Sequence, residues 1–138
     1  MTPGTILFHK DFKFSDGATK DKYLVVLGNI DSGVVLAAKT TSKGHRYRID
    51  FGCQSGSYFP AFYLPRGSCC LPLCTWICLD EFYELKADIL TRDMVSGQVY
   101  KHGELIASLA RDLQFCAKGS DDISAHQEVM IDGSLAAV

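Results

Sequence analysis

No apolar run in this chain approaches the roughly 18 residues of a membrane-spanning helix. The opening MTPGTILFHKDF also lacks the plan of a signal peptide. The expectation is a soluble, cytoplasmic protein with no membrane partner. Positive charge is not in excess: 14 Lys and Arg stand against 16 Asp and Glu, so any polyanion site must be a local patch. There is no P-loop, no Rossmann glycine pattern, no GxSxG and no HExxH, which removes several common nucleotide, hydrolase and zinc-protease chemistries. His9, His45, His102 and His126 are scattered without ligand spacing. No internal repeat, low-complexity segment or second domain is visible, and no metal or cofactor is expected.

Six cysteines are present, four of them in CCLPLCTWIC (Cys69, Cys70, Cys74, Cys78), with Cys53 upstream and Cys116 far downstream. A reducing compartment argues against a disulfide framework. Cys74 and Cys78 lie on an apparent strand, where residues four apart stand roughly 13 Å from each other, too far to share one metal. Buried, hydrophobe-like thiols are the leading reading and a metal site the alternative.

Short apolar runs rich in Val, Ile, Leu, Tyr and Phe, separated by turn residues, predict strands. They fall at Gly4 to His9, at Lys22 to Asn29, and at VVLAAKT after an Asp31-Ser32-Gly33 turn. HRYRIDF, AFYLP and TWICL follow, and MVSGQVY is read as a last strand. DFKFSDGATKD between the first two runs reads as a polar loop. The Lys22 to Asn29 run is apolar enough to be buried on both faces. ADILTRD reads as a short helix, and GELIASLARDLQFCA, with Leu105, Ile106, Leu109, Leu113 and Cys116 at helical spacing, as an amphipathic helix packed on the sheet. The fold class expected is mainly β, a small SH3-like barrel of short antiparallel strands over residues 1–118 with that C-terminal helix. Residues 119–138, with four acids and no Lys or Arg, read as an acidic tail.

The chemistry-bearing stretch is AAKTTSKGHRYRID, where Lys39, Lys43, Arg46 and Arg48 precede the first acid, Asp50. Cleaving RNA without a metal requires a group to help the 2′-OH attack, another to protonate the leaving 5′-oxygen, and donors for the charge on phosphorus. Lys and Thr can fill these roles if the fold unites them. In isolation, a solvated strand face and backbone-bonded hydroxyls explain the segment better.

The order of pieces shifts that balance. PGTILFH, then DKYLVVLGN, then AAKTTSKG, then TWICLDEFYELK, then a C-terminal helix resembles the MazF/PemK (Kid-like) toxin endoribonucleases, small SH3-like barrels related in fold to the gyrase poison CcdB. The resemblance spans about residues 3 to 117 and is close at residue level only in TTSKG. It puts Lys22 where the family carries an acid/base Arg, Tyr23 where it carries Pro, and Thr40 at the functional Thr. It implies a homodimeric, metal-independent endoribonuclease of single-stranded RNA, held inactive by an antitoxin protein and leaving a 2′,3′-cyclic phosphate. Lys22 and Thr40 would then be catalytic. Lys20, Thr41, Ser42, Lys43, His45, Arg46 and Tyr47 would bind substrate, Tyr47 or a loop aromatic by stacking on a base. Lys lacks the bidentate fork of Arg, so an inactive SH3-like module binding protein or nucleic acid stands as the alternative. The acidic tail is a further candidate, to shield the groove or dock a partner.

Overall fold

The computed structural model describes residues 1–30, 33–54 and 58–138. It is a mainly β, small α+β fold. One antiparallel sheet of eight strands carries three helices: β1 (Thr5–Lys13), β2 (Thr19–Ile30), β3 (Val34–Thr41), β4 (Gly52–Cys53), β5 (Ala61–Leu64), β6 (Thr75–Cys78), β7 (Tyr83–Lys86), α1 (Ala87–Ser96), β8 (Val99–Glu104), α2 (Ala107–Lys118) and α3 (Ala125–Asp132). The strand order is β4-β5-β6-β3-β2-β1-β8, with β7 also paired to β3. Asp31 and Ser32 of the expected turn lie outside the described residues. Among those described, no helix is long and apolar enough to cross a membrane.

β2 lies between β1 and β3 and is buried through its apolar run. Its alternate residues enter two cores: Val25 and Leu27 join Ile6, Leu36, Phe62, Ile77 and Leu113, while Leu24 and Val26 join Leu7, Phe12, Val35 and Leu90. This double burial is what a strand with no polar side requires. The segment expected as a polar loop between β1 and β2 is short, because both strands run on to Lys13 and Thr19 and a turn closed by Gly17 joins them. Lys20 is therefore a strand residue, as Lys22 was expected to be. β7, absent from the sequence reading, pairs with the first half of β3. MVS ends α1 rather than opening a strand, since Gly97 at φ 82° stops the helix and β8 begins at Val99. Of the residues placed on the helical stripe, Leu113 and Cys116 are buried on α2, whereas Leu105 is buried ahead of the helix and Ile106 is its exposed N-cap.

The last twenty residues are no loose tail. Met130 and Ile131 of α3 belong to the same core as Val25 and Leu27. Fully buried Gln114 fastens the segment: its amide donates to Leu27 O at 2.8 Å and Ser134 O at 3.0 Å, and its Oε1 accepts from the Ala136 N–H at 2.9 Å. On β2, Gly28 lets this segment come close, because a Cβ there would lie 2.9 Å from Ser134 Oγ and 3.0 Å from Met130 O. Asp121 and Asp122 are exposed ahead of α3, and Glu128 and Asp132 lie on it, away from buried Met130 and Ile131.

The cysteines also depart from expectation. Cys53 of β4 is disulfide-bonded to Cys116 of α2, 63 residues later. Cys78 is buried, Cys69 and Cys74 are half-buried, and Cys70 is exposed. The bond ties the two-residue strand at the sheet's end to the helix below it. Closing a loop of this length contributes about 4 kcal/mol in the chain-entropy account. Chemical denaturation of the Cys53→Ser, Cys116→Ser double variant should show a loss approaching that figure, and reductant should then have no further effect on it. A double variant as stable as the oxidised protein would show that the bond contributes nothing.

Candidate functional site

The site lies where β2 and β3 part. Their ladder runs from Ile30↔Val34 to its last pair, Leu24↔Lys39. Beyond it β2 stays with β1, pairing Lys22 with His9 and Lys20 with Phe12. β3 instead turns to β6, pairing Thr40 with Ile77 and Thr41 with Trp76. At such a fork two backbones lose their partners, and unpaired buried polar groups are destabilising. Two side chains bridge it: Lys22 Nζ donates to Thr40 O at 2.9 Å, and Thr40 Oγ1 donates to Tyr23 O at 2.8 Å.

Lys22 and Thr40 thus meet, but not as a free ammonium beside a free hydroxyl. Thr40 is only 4% exposed and gives its proton to a main-chain carbonyl. Thr41 is placed differently. Its Oγ1 accepts from the Lys43 N–H at 3.1 Å, which leaves the hydroxyl proton to be donated.

A cleft of about 400 Å³ opens on one side of the fork, lined by Lys22, Thr40, Thr41, Lys43, His45, Arg46 and Tyr47 among others. Lys20 and Ser42 do not reach it. They line an adjoining cleft of about 190 Å³ that shares Lys22, Thr40 and Thr41 as a common wall. The larger cleft also holds Lys39, Phe14, Cys78, Asp16 and Asp80, so four cations face two carboxylates. Lys39 was legible in principle, since period-two alternation puts it on the same face of β3 as Thr41. Phe14 was not, because only the hairpin geometry returns its ring to this face. The Lys22 and Lys39 ammoniums sit 5.9 and 5.5 Å from the Phe14 ring centroid, both over the same ring. Burial lowers the Lys22 pKa below the ordinary lysine value, helped by the charges of Lys20, Lys39 and Lys43, while Cys78 opposes the shift.

HRYRIDF forms no strand. The loop that contains it wraps the indole of Trp76, whose Nε1 donates to Arg48 O at 2.8 Å. Buried Gln54 bonds Arg48 N, Arg48 O and Asp50 O, so side chains supply what a strand partner would. Tyr47 stacks on Trp76 at 6.1 Å between centroids, and its hydroxyl lies 3.5 Å from Cys78 Sγ. Burial, and after it the contact with Cys78, pushes the Tyr47 phenol well above its ordinary pKa, so it stays neutral. Among the described residues, no group of three or more His, Cys, Asp or Glu side chains is arranged to hold a metal ion.

Gly44 rests on the ring itself, and a Cβ there would fall 2.1 Å from a Trp76 ring carbon. Gly44→Ala should therefore lift the loop and carry Lys43, His45 and Arg46 out of place. Trp76 is the sole tryptophan, so a red shift of intrinsic fluorescence reads the displacement directly. An unchanged emission maximum would show that the loop tolerates the methyl group.

No protein-family model matches the chain, and no curated protein matches it.

Proposed function

We propose that this cleft binds single-stranded RNA and that the protein cleaves it without a metal ion, in the manner of the MazF/PemK-like toxins it resembles. One observation carries the reading: a half-buried lysine of lowered pKa, within hydrogen-bonding reach of the fork, stands among three further cations and a donor hydroxyl. Lys22 assists proton transfer as the 2′-oxygen attacks phosphorus and the P–O5′ bond breaks, leaving a 2′,3′-cyclic phosphate and a 5′-hydroxyl. Lys39 and Lys43 balance the non-bridging oxygens. Thr41 takes the phosphate-facing part that the resemblance gives to Thr40, and Thr40 holds the fork. The same reading makes the protein a cytoplasmic homodimer restrained by an antitoxin. Support for a dimer comes from the exposed Phe51 and Phe115, which flank an apolar hollow of about 490 Å³ that a second copy would cover.

The engagement of the Thr40 hydroxyl and the Lys22–carbonyl bond favour a second reading, an RNA-binding module without catalysis. Incubating the protein with several long RNAs in EDTA separates the two. Discrete fragments ending in cyclic phosphate establish the nuclease. Intact RNA bound in a salt-sensitive way establishes the module, and absence of both fragments and binding overturns the reading of the cleft.

A further inference from the structure

The rings beside the cleft form a continuous line from the core to solvent. Tyr63 and Trp76 are buried and stacked, 4.6 Å between centroids. Tyr47 also stacks on Trp76, and Phe59 meets Tyr47 edge-on at 6.2 Å. Tyr58 closes the line, edge-on to Phe59 at 4.9 Å and 92% exposed. Arg46, which lines the cleft, places its guanidinium 4.9 Å from the Phe59 centroid. The buried rings fix the line in place and the outer ones leave ring surface uncovered, with a cation laid over one of them. Unpaired bases stack on such surfaces with little regard to sequence, and arginine adds a cation–π term.

We propose that Phe59 and Tyr58, with Arg46, form a stacking platform for the unpaired bases of an RNA strand as it leaves the cationic cleft. The inference rests on the reading of that cleft as an RNA site. It adds a path for the strand and a division of labour: the lysines hold phosphates, and the outer rings hold bases. Tyr47 has no such role, because its ring is wedged against Trp76 and Phe59.

The test is fluorescence anisotropy with a labelled ten-nucleotide single-stranded RNA and wild type, Tyr58→Ala, Tyr58→Phe and Phe59→Leu over a salt series, in EDTA and with the 2′-hydroxyls methylated to prevent cleavage. Tyr58 is exposed enough that its removal leaves the fold intact, and circular dichroism checks this for each variant. Tyr58→Ala and Phe59→Leu should each bind about tenfold more weakly, with an unchanged slope against salt, because no phosphate contact is lost. Tyr58→Phe should match the wild type, and an oligonucleotide with abasic sites should erase the difference between wild type and Tyr58→Ala. Wild type that binds while Tyr58→Ala and Phe59→Leu bind equally well overturns the platform and leaves the cleft reading intact. Wild type that binds no RNA overturns both.

Discussion

Removing residues 120–138 should unfold the protein rather than unmask a groove. Truncating a large buried aliphatic side chain to alanine costs about 2–5 kcal/mol, and the deletion takes away both Met130 and Ile131, which are 1% and 0% exposed. It also strips Gln114 of its bonds to Ser134 and Ala136, leaving a buried amide partly unpaired. The combined loss is comparable to the whole stability of an ordinary domain, about 5–15 kcal/mol. Circular dichroism should find no cooperative thermal transition in the truncated chain. Ile131→Ala, a milder change, should keep the fold and lower its denaturation midpoint. A truncated chain that melts cooperatively at the wild-type temperature would mean that α3 is dispensable. That result would restore the acidic tail as a candidate shield.

The other large effect concerns Lys22. Lys22→Met should reduce RNA cleavage by about 10²–10⁴-fold, the range expected when a positioned acid or base is removed. That substitution also breaks the bond to Thr40 O, so Lys22→Arg is the sharper probe. Arginine keeps the charge and is the residue that the resembled family carries at this place. The Arg variant should therefore bind RNA about as well as wild type and keep most of the cleavage that Lys22→Met loses. An Arg variant as inactive as the Met variant would show that the site depends on the lysine itself. The pH dependence follows from the same group. Its folded pKa lies below the ordinary lysine value, with burial the main cause. As pH rises through that folded value, the cleft loses a charge and RNA affinity should fall earlier than an ordinary lysine allows. Over the same window folding stability should rise, because the unfolded chain still holds a proton that the folded chain has released. Affinity flat up to pH 10 would be the contrary result.

Much of the architecture was readable from the residues. The apolar run Leu24 to Leu27 could only be a strand covered on both sides, and its alternate residues feed both cores. AFYL and TWIC were equally plain. HRYRIDF misled because its alternation mimics a strand, whereas the side chains of Trp76 and Gln54 are what satisfy its backbone. Local pattern does not reveal a partner that lies many residues away. The disulfide was hidden for the same reason, since nothing near Cys53 points to Cys116. The order of the strands and the resemblance made Lys22 and Thr40 candidates for one site, but that they meet in space was not legible. That the Thr40 hydroxyl would be directed at a carbonyl was not, because it depends on where two strands separate.

That separation links the site to the sheet. Beyond Leu24 and Lys39 no backbone ladder joins β2 to β3, and two side-chain donors stand in for it. One of those donors is also the group that an anion in the cleft would attract. A phosphate that draws the Lys22 ammonium toward itself removes half of the seam, leaving only the Thr40 hydroxyl to keep the strands from splaying. Occupancy of the cleft and closure of the sheet therefore compete for a single ammonium group, and a ligand that binds tightly should leave the protein locally looser than it found it.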